Sequence, residues 1–224
     1  DDQRADTVSA WGNPDIETPN LDALAARGVS FRNAYCMGAM TGAVCAPSRA
    51  MFLSGRTLFH LGPSPYNTPP EVRMLPEVLR ERGFATFGTG KWHNGKGSFA
   101  RSFTGGASIF FGGMGSHTDL PVHDFDPSGE YPNDARRKIR EFSSAEFATA
   151  AVGFLESGEA DEPFLLYLSF TAPHDPRTPP EADRARYDED GLPLPTNYLP
   201  VHPFDNGEMV IRDEKLAPWP REPG

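Results

Sequence analysis

The sequence predicts an α/β domain built on a central, mainly parallel sheet lying between helices. Two observations carry that expectation. Helical and strand signals alternate from residue 18 to residue 170, and residues 164–170 form an apolar run of the kind found in strands buried on both faces. Strands separated by helices of about 8–15 residues pair in parallel, because each crossover helix returns the chain to the same sheet edge.

The elements follow in order. Thr18 reads as an N-cap and Pro19 as the first helical residue; Leu21, Leu24 and Ala25 form an apolar stripe, and Gly28 stands where a C′ residue belongs. Residues 29–35 alternate, with Val29, Phe31 and Tyr35 on one side, which predicts a strand. Cys45-Ala46-Pro47-Ser48-Arg49 opens the apolar stretch 50–53, a helix with Pro47 in its first turn. Residues 75–82 make a short helix closed by Gly83, and residues 84–87 a strand ended by Gly88-Thr89-Gly90. Ser143 and Glu146 have capping-box spacing, Phe142 and Phe147 sit at staple positions, and this helix runs through Val152 and Leu155 to the strand at 164–170. From Pro176 onward prolines and charges dominate without periodicity. Residues 176–224 are therefore read as a Pro-rich, acidic loop or insertion of the domain formed by residues 1–175.

Composition narrows the function. The 224 residues are 38% hydrophobic with 22 Gly and 23 Pro, which fits an ordered, loop-rich domain with a real core. The formal charge is −10, but residues 1–114 carry 11 basic and 9 acidic side chains, so the deficit lies entirely beyond them. An acidic chain without a basic stripe excludes nucleic acid and anionic membrane surfaces as partners, while its first half still suits a small anion. No run reaches the about 18 apolar residues a membrane span needs. Cys36 and Cys45 are the only cysteines, which rules out a disulfide scaffold and leaves one bridge open. The chain opens on Asp1-Asp2 without a leader and is expected to be a processed or truncated piece.

In a parallel sheet, function gathers at the carboxyl ends of the strands. Gly90-Lys91-Trp92-His93 and Ala172-Pro173-His174 follow the predicted strands directly. Cys45 opens a helix, where free N–H groups stabilise a thiolate or a bound anion. His117, Asp119, His123, Asp124 and Asp126 lie in a Gly- and Pro-flanked stretch that reads as a substrate-facing loop.

Cys45-Ala46-Pro47-Ser48-Arg49, followed by Leu53-Ser54-Gly55-Arg56, resembles the Cys-x-Pro-Ser-Arg signature of the type I sulfatases, members of the alkaline phosphatase superfamily. Asp1-Asp2 resembles the paired-aspartate metal motif of that family, Gly12-Asn13-Pro14 through Asp22 the segment after it, and Gly90-Lys91-Trp92-His93 and Pro173-His174 its later catalytic motifs. The resemblance implies an alkaline-phosphatase-like fold, of which this chain would be the N-terminal portion, and makes residues 1–175 the N-terminal part of a catalytic domain. It also implies sulfate-ester hydrolysis by a formylglycine made from Cys45, whose hydrated aldehyde supplies the hydroxyl that attacks sulfur. One divalent cation, Ca²⁺, is implied, with Asp1, Asp2 and position 45 as ligands; carboxylate oxygens suit such a hard ion. By the same resemblance Arg49 and Lys91 hold the aldehyde hydrate and the developing charge, His93 is the base, and His174 the acid at the leaving oxygen. Pro47 and Ser48 belong to the sequence read by a formylglycine-generating or anaerobic sulfatase-maturing enzyme.

The substrate implied is a small-molecule or glycan sulfate ester, with sulfated glycans the first expectation, and the location periplasmic or secreted. Asp205-Asn206 imitates the family's remaining metal ligands, but the two prolines in 199–204 exclude a central strand before it, and those ligands are expected after Gly224. A phosphoester or phosphonate hydrolase of the same superfamily, and an inactive truncated fragment, are the alternatives.

Overall fold

A computed structural model describes residues 3–4, 6–39, 44–62, 66–194, 196 and 198–199. Three parallel strands form the sheet in the order β2 (Gly105–Phe110), β1 (Ala85–Lys91), β5 (Phe164–Ser169). In register, Phe87 faces Gly105 on one side and Leu166 on the other. The parallel sheet expected from the alternation is thus present.

Two helices cover opposite faces of it. Phe87 stacks on Phe154 of α5 (Ser143–Glu156) with ring centroids 4.7 Å apart, while Tyr167, level with the neighbouring Gly88, packs against Trp92 and Phe103. Successive strand residues point to opposite faces, so α5 lies on one side, and α4 (Lys96–Ser102), which ends just before Phe103, on the other. On the α4 side Trp92, Phe99, Phe103, Ile109 and Tyr131 form the largest buried cluster, with edge-on ring pairs at Trp92–Phe99 and Phe99–Tyr131.

The helices α1 (Pro19–Arg27), α2 (Cys45–Ser54) and α3 (Leu75–Arg80) stand where the sequence places them. Three local expectations are corrected. Residues 29–35 are broken by a turn at Arg32 and Asn33 and pair with no strand among the described residues, and Val29, Phe31 and Tyr35 are 82%, 79% and 88% exposed; alternation supplies a face, not a partner. Gly28 has φ −123°, so α1 does not end on a left-handed residue. Strand β1 is not ended by Gly88-Thr89-Gly90 but runs through them to Lys91. Gly90 permits this: its φ is +88°, and a Cβ there would lie 2.0 Å from the Ser169 carbonyl oxygen of β5.

The capping box is also absent, because both of its side chains are committed elsewhere. The N-cap of α5 is Phe142, and Ser143 Oγ lies 3.0 Å from both His117 Nδ1 and Thr171 Oγ1. Glu146 accepts from Arg137 at 2.7 Å, from Ser108 Oγ at 2.8 Å and from Arg140 N at 3.1 Å. Arg137 begins β4 (Arg137–Lys138), which pairs antiparallel with β3 (Pro121–Val122), and an Ile109–His123 bridge joins that ribbon to β2. Beyond β5, α6 (Glu181–Arg184) begins a return toward the start of the chain: Arg186 pairs with Glu17, and Tyr187 OH accepts from Glu17 N at 3.2 Å.

Candidate active site

The site is built where α2 begins and β1 and β5 end. Cys45 is the first residue of α2, half-buried, with the free N–H groups of that helix start around it. Its Sγ lies 3.3 Å from His93 Nδ1. Asn94 holds the two segments together, its buried amide donating to Ala46 O at 2.9 Å.

Arg49 lies one turn further along α2, on the face that carries Cys45. Its Nη1 donates to Lys91 O at 2.8 Å, Tyr167 OH at 3.1 Å and Ser169 Oγ at 2.5 Å, so one guanidinium nitrogen pins the helix across the carboxyl ends of both strands. Lys91, the last residue of β1, is fully buried, a position an ammonium tolerates only when paired or hydrogen-bonded. His93 has φ 65°, uncommon for a residue with a side chain and characteristic of functional positions. The ring rests against Tyr66, with centroids 5.3 Å apart, and against Gly113, where an added Cβ would come within 2.8 Å of His93 Cε1.

His174 stands in the turn after β5. Its Nδ1 is 3.2 Å from Asp175 O, and a carbonyl can only accept, so Nδ1 carries a proton. The ring forms one wall of a cavity of about 260 Å³, with Phe142, Pro173 and Pro180 among its apolar lining.

Of the sequence-predicted residues, direct contacts therefore join Cys45 to His93 and Arg49 to the Lys91 backbone. The segment after β2 touches both histidines, packing on His93 at Gly113 and on the His174 carbonyl at His117. Asp1, Asp2, Asp205 and Asn206 lie outside the described residues. Among the described residues no three His, Cys, Asp or Glu side chains form a metal cluster. The carboxylate oxygens of Asp1 and Asp2 suit a hard divalent cation. Cys36 and Cys45 are both free thiols, which closes the question of a bridge.

The stretch read as a substrate-facing loop is instead heavily engaged with its own surroundings. Asp119 pairs with Lys138, Asp124 with Arg137, and Asp126 accepts from Ser128 and from Tyr131 N. His117 and His123 are 2% and 4% exposed. Burial pushes the Asp124 and Glu146 carboxyls up, but the hydrogen bonds from Arg137, together with those from Ser108, outweigh it and leave both below the ordinary carboxylate range. Asn94 belongs to the polar cluster after the strand at 84–87, whereas Tyr167 and Ser169 stand out in the sequence only as part of the apolar run. Ser169 had a usable signal, its place at the carboxyl end of an apolar strand; Tyr167 inside that run had none.

Comparison with known proteins decides the family. A sulfatase family model matches residues 1–203. The chain belongs to the sulfatase family. It is similar to an uncharacterised sulfatase of Schizosaccharomyces pombe, 31% identical over 98% of this chain and 45% of that protein. It is also similar to human N-acetylgalactosamine-6-sulfatase, 29% identical over 79% of this chain and 38% of that protein. Among solved structures, BT4656 in complex with its substrate D-glucosamine-2-N,6-O-disulfate matches with a TM-score of 0.70 and 25% identity, over 88% of this chain and 38% of that one. The chain thus spans less than half the length of these relatives. The described fold is that of the N-terminal part of a sulfatase, in agreement with the alkaline-phosphatase-like expectation.

Proposed function

We propose that this protein hydrolyses sulfate esters of glycans, using a formylglycine made from Cys45 together with one divalent cation, Ca²⁺. The observation that carries the reading is the placement of Cys45: first residue of a helix, inside the Cys-x-Pro-Ser-Arg signature, with its Sγ 3.3 Å from His93 Nδ1. Two relatives support the glycan assignment, since one is named for a 6-sulfated amino sugar and the other binds a disulfated glucosamine as its substrate.

When present, formylglycine supplies a hydrated aldehyde as the nucleophile, and the cation, held by Asp1 and Asp2, neutralises charge at the sulfate oxygens. The remaining work falls to side chains of this chain. His93 Nδ1, facing position 45, takes the proton as base. Arg49 fixes the start of α2 against Lys91 and Ser169, and with Lys91 brings positive charge to the place where negative charge develops. His174 acts as the imidazolium: Nδ1–H stays on Asp175 O while Nε2–H gives its proton to the leaving oxygen, which leaves the neutral ring. Maturation of Cys45 requires a formylglycine-generating or anaerobic sulfatase-maturing enzyme, and the setting is periplasmic or secreted.

The test compares kcat/KM for an aryl sulfate and the matched aryl phosphate on matured protein. A clear preference for the sulfate is expected. A preference for the phosphate would overturn the reading in favour of a phosphoester hydrolase of the same fold.

A further inference from the structure

His117 is a buried imidazole that the mechanism above does not use, and both of its ring nitrogens and its carbonyl oxygen are engaged. Its Nε2 lies 3.0 Å from the His174 carbonyl oxygen. Its Nδ1 lies 3.0 Å from Ser143 Oγ and 3.1 Å from Thr171 Oγ1, and those hydroxyls are 3.0 Å from each other. Its own carbonyl accepts from Ser143 N at 2.8 Å. Ser143 and Thr171 are as buried as His117, at 0% and 2% exposed.

The directions of these bonds follow from the atoms. A carbonyl oxygen only accepts, so His117 Nε2 carries its proton and donates to His174 O; in the neutral ring Nδ1 then accepts from the hydroxyl pair. Pro173 and Pro176 lack an N–H, and within the turn His174 N donates to Thr171 O at 3.0 Å. His117 therefore ties the turn to the buried start of α5. Four residues earlier in the same segment, Gly113 packs against the ring of His93.

We propose that His117 is a positioning residue for His174: its Nε2–H fixes the His174 backbone, and through it the aim of the imidazole that protonates the leaving oxygen. This rests on the role given to His174 under the proposed function. A residue acting through that proton transfer matters most for a poor leaving group, which needs the acid, and least for an activated one, which does not.

Two variants of the matured protein separate positioning from general structural damage. In His117→Gln the side-chain amide nitrogen falls near the position of Nε2 and keeps the donor to His174 O. In His117→Asn it falls near Nδ1 and keeps only the hydroxyl contacts. With phenyl sulfate as the poor leaving group and 4-nitrophenyl sulfate as the good one, His117→Asn is expected to lose roughly tenfold or more in kcat on the former, several times its loss on the latter. His117→Gln should recover most of that difference. An equal loss on both esters, or equal damage from Gln and Asn, would overturn the proposal.

A second readout does not depend on turnover. The long-range ¹H–¹⁵N resonances of the His174 ring should move in His117→Asn and stay in place in His117→Gln; unmoved resonances in His117→Asn overturn the positioning role. If the unaltered protein hydrolyses neither ester, the proposed function fails while the resonances still decide the positioning.

Discussion

Cys45 Sγ and His93 Nδ1 lie 3.3 Å apart although 48 residues separate them, and the contact is held by a neighbour rather than by the pair itself. Asn94, buried and adjacent to His93, donates to the Ala46 carbonyl beside Cys45. Replacing Asn94 by Ala removes the donor that ties the segment after β1 to that carbonyl. Asn94→Ala is expected to cost about 1–3 kcal/mol of stability, read by chemical denaturation, and to lower turnover further by loosening the Cys45–His93 register. Unchanged stability would show that the clamp is dispensable.

Gly90 and Gly153 should respond to Ala in opposite ways. At Gly90 the positive φ and the Ser169 carbonyl leave no room for a methyl group, so Gly90→Ala is expected to cost more than about 4 kcal/mol, or to prevent folding. Gly153 is exposed inside α5 with nothing within 4 Å of an added Cβ, so Gly153→Ala should stabilise by about 0.5–1 kcal/mol. Thermal melts of the two variants check both.

Acid should dissolve the network that joins β2, β4 and α5. Glu146 and Asp124 ionise below their ordinary values of 4.5 and 3.8 in the folded chain, despite burial, because Arg137 and its neighbours hydrogen-bond the charged forms. Carboxyls held low in the fold contribute stability above their unfolded values and lose it as pH falls through the folded ones. Tm should therefore drop steeply below about pH 4.5, and Glu146→Gln should flatten that limb. At neutral pH the same variant leaves Arg137 partly uncompensated, at a cost of about 3 kcal/mol.

His123 acts in a higher window. Burial, helped by the charges of Lys96 and Arg136 and opposed by Asp124 and Asp126, holds its imidazole below the ordinary value of 6.5. Below 6.5 the unfolded chain takes up a proton that the folded one refuses, so stability falls as pH drops from there. Neither ring nitrogen has a hydrogen-bond partner among the described residues. His123→Leu is thus expected to leave Tm unchanged or raised at about pH 7.5 and to remove part of its decline toward pH 5. A loss above about 2 kcal/mol at the higher pH would contradict this.

What the sequence revealed was local or motif-borne. The helices α1, α2, α3 and α5, the apolar strand β5 and the places of Lys91, His93 and His174 could be read because periodicity, capping residues and strand ends are short-range signals. Strand β2 and helix α4 were missed. The strand begins Gly-Gly-Ala-Ser and gains its place only by pairing with β1, and the helix is held by Trp92 and Phe103 packing on Phe99. The Ser143–Glu146 spacing misled for a related reason: distant partners, His117, Thr171 and Arg137, bind those side chains more directly than the helix start does. His117 was legible only as a polar residue of a loop, since the atoms it serves lie up to 57 residues away in sequence.

The most direct test of the central claim is intact-protein mass spectrometry of Cys45 paired with turnover of an aryl sulfate, on protein made with and without a formylglycine-generating enzyme. Activity should rise in proportion to the fraction of Cys45 carrying the thiol-to-aldehyde mass change, and Cys45→Ala should abolish it. Full sulfatase activity with Cys45 unconverted would contradict the account.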